Sequence, residues 1–156
     1  MRTMLLVLTV YLLTILADAQ SPPLNLMPMP ASVKTASGQL VIDPSFSVAI
    51  SGHTEPRLQR AVEIFLNDLR RQIGMLPLDM KISDTATGTL LIQCDSGTKE
   101  VQELGEDESY HLEISSSGAK LNSPTTLGIM RGLQTFLQLV HTAPVGFAAP
   151  AGEWLL

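Results

Sequence analysis

"GIMRGLQTFLQLV", residues 128–140, is the most regular stretch of the chain, and its reading sets the fold. Wound at ~100° per residue, Leu127, Ile129, Met130, Leu133, Phe136, Leu137, Leu139 and Val140 cover roughly half of a helix circumference or more. Arg131, Gln134, Thr135 and Gln138 share the narrow polar side. A helix laid on one sheet needs an apolar arc of only about 100°. The surplus predicts a second covering partner, and an isolated chain that exposes an apolar patch around Ile129, Phe136 and Leu139. Gly128 and Gly132, one turn apart, permit close backbone approach. Ser123 and Pro124 predict the helix start, as a cap followed by proline at the first helical position.

Upstream of this helix, "SYHLEI" (109–114) alternates: Tyr110, Leu112 and Ile114 point one way, His111 and Glu113 the other. "SSSG" (115–118) is a turn, and 119–121 returns as the hairpin partner. Residues 95–108 are polar and read as a surface loop. Short strands are expected at 89–93 and 78–82. A first helix is expected over 55–74, with Leu58, Val62, Phe65, Leu69 and Ile73 as its apolar stripe, Thr54 as its N-cap and Gly74 closing it. Before it, 40–42 and the alternating 46–50 read as strands, preceded by the Pro-rich stretch 21–33. Strands in runs with two helices predict an α+β domain: a mostly antiparallel sheet with two helices packed on one face, a zincin-like topology without a zinc motif.

The two ends read differently from the middle. Residues 1–19 combine Arg2, an apolar run from Met4 to Leu16, and Ala17-Asp18-Ala19, the pattern of a secretory signal peptide cleaved after Ala19. The chain is therefore expected to be exported, secreted or periplasmic, with no membrane association after cleavage. The domain is expected to span 20–141, and 142–156 reads as a linker or the start of something further. Cys94 is the single cysteine. It follows Leu90, Leu91 and Ile92, so it reads as a small buried hydrophobe. A formal net charge of −5 argues against nucleic acid, whose phosphates ask for a basic face.

Catalytic signals are sparse, and no catalytic, cofactor-binding or metal residue is assigned. His111 and Glu113 share a strand face and could in principle ligate a metal, but a two-residue coincidence on a solvent face is more often just solvated. Glu103, Glu106, Asp107 and Glu108 contain acids of the kind glycoside chemistry uses, but a flexible acidic loop accounts for them. Arg131 is a candidate ligand or partner contact.

Two segments resemble the N-terminal domain of glycoside hydrolase family 20, the β-N-acetylhexosaminidases. "NLMPMPASVKTASGQLVI" carries Pro28, Pro30, Val33, Gly38 and Leu40 of the family's opening. "ESYHLEISSSGAKLNSPTTLGIMRGLQTFLQLV" carries Glu108, Tyr110, Leu112, Gly128, Arg131, Gly132, Leu133, Thr135, Gln138 and Leu139 of its closing helix motif. The resemblance implies an antiparallel sheet whose two helices lie between it and a following (β/α)₈ barrel, which would be the second partner. It implies for a full-length relative the retaining hydrolysis of terminal N-acetyl-β-hexosaminides, with the substrate's own acetamido oxygen as nucleophile. The family's catalytic Asp-Glu pair lies in the barrel, so none of its residues maps onto this chain, and the chain alone is expected to be inactive. The alternative is a stand-alone secreted module that docks a separate protein through its helices.

Overall fold

The computed structural model describes residues 25–74, 80–99, 101–144 and 146–156. The expected signal peptide at 1–19 lies outside the described residues, as do the first two positions of the strand expected at 78–82, whose end is strand at Lys81–Ile82. The elements are β1 (Ser32–Ile42), β2 (Ser47–Gly52), α1 (Pro56–Ile73), β3 (Lys81–Ile82), β4 (Leu90–Ser96), β5 (His111–Ser115), β6 (Gly118–Thr125), α2 (Thr126–Leu139), β7 (His141–Ala143) and β8 (Gly146–Leu155).

The strands form one sheet in the order β1-β8-β5-β6-β4-β2-β3, with β7 attached to β8. The fold is α+β, with a mixed sheet. β1, β8, β5 and β6 pair antiparallel, while β6, β4, β2 and β3 pair parallel. Connectivity explains the parallel half. The α1 crossover carries the chain from β2 back to the same end of the sheet, and such a crossover makes the next strand parallel. The β5–β6 hairpin returns β6 beside β4 in the same sense.

Alternation places Leu90, Ile92, Cys94, Leu112, Ile114, Ala119 and Leu121 against the helices, all of them buried. Phe46, Phe65 and Phe136 join the start of β2 to both helices, with ring centroids 5.6–6.4 Å apart. These tilted and edge-on geometries are the ones aromatic rings prefer.

Both helices begin later than the sequence predicts. Pro56 sits at the first helical position of α1 and disfavours helical backbone at the residue before it. Glu55 is therefore extended and becomes the N-cap in place of Thr54. Before α2, the ladder with β4 carries β6 through Ser123 and Pro124 to Thr125. Thr125 is the true cap: its hydroxyl accepts the Gly128 N–H at 3.1 Å. Gly74, in left-handed backbone at φ 63°, closes α1 as expected.

Two further expectations are corrected. Residues 146–155, expected to lie in a linker, are an interior strand between β1 and β5, with Ala148, Ala149 and Trp154 fully buried. Gly152 in it is a packing requirement, since a Cβ there would press on the Lys34 carbonyl oxygen and the Trp154 ring. Pro150 is opposite Gln39, where the β1 register shifts, and proline is tolerated in a ladder at such a bulge. The surplus arc of α2 is also covered from within the chain. Of its apolar residues only Met130 keeps partial exposure, and Ile129 and Phe136 are wholly buried. The sheet covers one side of α2, and α1 and the segment around Leu26 belong to the same core. The exposed apolar patch expected around Ile129, Phe136 and Leu139 is therefore absent.

Candidate functional site

The helix motif is a set of internal staples. Arg131 grips Glu108 with two hydrogen bonds, Nε to Oε2 at 2.6 Å and a second guanidinium nitrogen to Oε1 at 3.2 Å. This fork geometry is the strong form of a carboxylate pair, and it holds the Glu108 carboxyl below the usual carboxylate range. The Tyr110 and Thr135 hydroxyls meet at 2.6 Å in the interior, while burial pushes the Tyr110 phenol up.

The Gln138 amide reads the backbone of Met27 twice, accepting its N–H at 2.7 Å and donating to its carbonyl at 2.9 Å. Ser123 donates to the Ser109 carbonyl at 2.8 Å, and Thr125 to the Asp107 carbonyl at 2.7 Å. A Cβ on Gly128 would overlap the Ser109 carbonyl oxygen, and one on Gly132 would overlap Leu121. Together these contacts lock α2 to segment 107–110 and to the residues before β1.

The acidic residues 103–108 do not form a catalytic pair. Glu103 bonds Lys99 at 2.5 Å, Glu106 accepts the Glu103 N–H at 2.7 Å, and Asp107 accepts the Ser109 N–H at 2.8 Å. Hydrogen bonds from Ser109 hold the Asp107 carboxyl low. With Glu108 on Arg131, each carboxylate is engaged within its own neighbourhood. His111 and Glu113 lie on the sheet face away from the helices. The neighbour of His111 there is Glu153 of β8, with Nε2 at 4.0 Å from a carboxylate that Lys34 also holds at 3.2 Å. Among the described residues, no three His, Cys, Asp or Glu side chains are grouped as metal ligands.

Cys94 is fully buried. Its thiol donates to the Ser96 carbonyl at 3.1 Å and lies 3.8 Å from the Thr126 hydroxyl. Burial pushes the thiol up, and a raised thiol is a poor nucleophile.

Two features escaped the sequence. Glu55, the first residue of the helix expected over 55–74, lies just past the end of β2. Thr126, the Thr98 backbone and His53 beside it hold its carboxyl low despite partial burial. The only sequence signal was the proline after it. The second feature is a shallow groove on the outer side of the helix layer. Ala61, Ile64, Leu127, Met130, Leu133 and Gln134 line one part. It continues along Arg57, Arg60 and Lys99, with Glu55 at its far end. Ile64 falls off the α1 stripe and is half exposed, which is the signal that could have found it.

A family profile described as beta-acetyl hexosaminidase like matches residues 26–139. Beta-hexosaminidase 3 of Arabidopsis thaliana is 30% identical over 142 residues, covering 82% of this chain and 26% of the relative. Beta-hexosaminidase subunit A2 of Dictyostelium discoideum is 26% identical over 141 residues, covering 88% and 25%. The chain thus spans about a quarter of the curated relatives it matches. The Flavobacterium johnsoniae chitobiase structure superposes with a TM-score of 0.76 at 31% identity, over 85% of this chain and 20% of that one. A Streptomyces plicatus β-hexosaminidase structure matches at 0.65 and 18% identity, over 89% and 27%. The match runs through the Pro-rich opening, both helices and the hairpin, so the chain belongs to the beta-acetyl hexosaminidase like family, the N-terminal domain of glycoside hydrolase family 20.

Proposed function

We propose that this chain is the non-catalytic N-terminal domain of an exported β-N-acetylhexosaminidase and that its role is structural support of a catalytic (β/α)₈ barrel in the same polypeptide. The observation that carries this reading is the use of the helix motif. Glu108, Tyr110, Arg131, Thr135 and Gln138 all bond within the domain, so the motif serves folding and leaves no acid–base pair for chemistry. The whole enzyme's activity would be hydrolysis of terminal non-reducing N-acetyl-β-hexosaminides. The reaction would retain configuration through the substrate's own acetamido group, a departure from the two-carboxylate scheme. Export rests on the Arg2, Met4–Leu16 and Ala17-Asp18-Ala19 pattern.

The stand-alone interaction module drew on an uncovered helix face, and the chain covers that face itself. The test is turnover of an aryl N-acetyl-β-glucosaminide. Purified 20–156 should give none above a buffer blank, and the polypeptide continued past Leu156 should give turnover. Hydrolysis by 20–156 that disappears on Glu106→Gln, Asp107→Asn or Glu108→Gln would overturn the non-catalytic reading.

A further inference from the structure

The segment that leads into β1 is pinned on one side and open on the other. Leu26 is buried in the core, and Pro30, four residues on, is buried as well. Between them the Gln138 amide holds both backbone groups of Met27, at 2.7 and 2.9 Å. These anchors use one leucine, one proline and main-chain atoms. The Met27 and Met29 side chains take no part in them and lie in solvent, 81% and 61% exposed. Met80 has the opposite setting, 1% exposed and packed in the core, and Met130 is only partly exposed.

A thioether is soft and polarizable, and an oxidant that reaches its sulfur converts it to sulfoxide. With hydrogen peroxide, a sulfur lone pair attacks one oxygen. The S–O bond forms, the O–O bond breaks, and the second oxygen leaves as water with the proton of the first. Sulfur gives up two electrons and the peroxide accepts them. The polar product disrupts a core when it forms inside one. At Met27 and Met29 the added oxygen stays in water, and the contacts of Leu26, Pro30 and Gln138 are untouched.

We propose that Met27 and Met29 form a paired oxidation site, at which peroxide-class oxidants are consumed as methionine sulfoxide ahead of Met130 and Met80 and without releasing the segment from α2. Two features of the fold set this order. Exposure decides which sulfur the oxidant meets first. The clamp on the Met27 backbone lets the side chain change its chemistry while the main chain keeps its place. The pair is a property of this fold and holds whichever role the domain plays.

The experiment adds hydrogen peroxide to the purified 156-residue chain and stops the reaction at successive times. Tandem mass spectrometry of its peptides locates each added oxygen, and urea unfolding followed by circular dichroism reads the fold. Met27 and Met29 should be oxidised first and Met130 later. Met80 should react at least about tenfold more slowly than the pair, because a buried group reacts only after local opening. In unfolding urea the four rates should converge. Oxidation of the pair should leave the urea midpoint unchanged. Met27→Leu with Met29→Leu should remove the early oxygen uptake and keep that midpoint. Met80 oxidised as fast as the pair in the folded chain, an order that persists in unfolding urea, or a midpoint that falls as the pair reacts would each overturn the proposal.

Discussion

Phe136→Ala tests which side of α2 faces inward. Phe136 has no exposed surface, and its ring lies 5.9 Å from Phe46 and 5.6 Å from Phe65. Truncating a buried Phe to Ala typically costs about 3–5 kcal/mol. Losing two ring pairs, each worth about 0.5–1.5 kcal/mol beyond area burial, places this site at the upper end, about 4–5 kcal/mol. A domain of this size is held together by about 5–15 kcal/mol, so the variant should be barely folded. Urea unfolding of purified 20–156, followed by circular dichroism, is the assay. With a slope of about 1–3 kcal/mol/M, the midpoint should fall by roughly 2 M. Ile64→Ser, at a half-exposed position on the other side of the helix layer, should change stability by no more than about 0.5 kcal/mol. A Phe136→Ala cost below about 1 kcal/mol, or a gain in solubility, would refute the reasoning. It would restore the picture of a helix that waits for an outside partner.

Gly128→Ala places a Cβ onto the Ser109 carbonyl oxygen, part of a backbone that cannot turn aside, and should cost about 1–3 kcal/mol as overpacking does, read from the same urea curves. Glu55 has a carboxyl held below its usual value of 4.5 in the fold. Its contribution is therefore present above that value and is lost as pH falls through the lower folded one. Glu55→Gln should flatten the acid limb of a stability–pH profile below about pH 4.5 and leave the neutral region's slope unchanged. If the chain is exported and processed as the Ala17-Asp18-Ala19 pattern predicts, N-terminal sequencing of the secreted product should begin at Gln20, and a product that retains residues 1–19 would contradict it.

Much of this fold was legible because its signals are local. The Tyr110–Ile114 alternation, the four-and-three stripe of α1 and the turn at 115–118 each specify one element, and each element is present. The parallel half of the sheet was not legible, because parallel pairing follows from where the α1 crossover lands. β8 was missed for a chemical reason: Ala, Pro and Gly have low strand propensity, yet Lys34 and Trp154 crowd Gly152 so closely that a larger residue does not fit. The apolar arc of α2 is as wide as its sequence implies, but it is covered from within the chain. A circumference count compares one helix with one sheet and omits α1 and the segment around Leu26, both of which share the core with α2. At the site, the bonds made by Arg131 and Thr135 join residues 23 and 25 positions away, beyond the reach of any periodicity. Glu55 owes its environment to Thr126 on the other helix.

The supporting role is tested most directly by calorimetric unfolding of the polypeptide continued past Leu156, with and without residues 20–156. The account predicts that removing this domain lowers the melting temperature of the remainder and its yield of active enzyme. A remainder that melts at the same temperature and hydrolyses an aryl N-acetyl-β-glucosaminide equally well would contradict it.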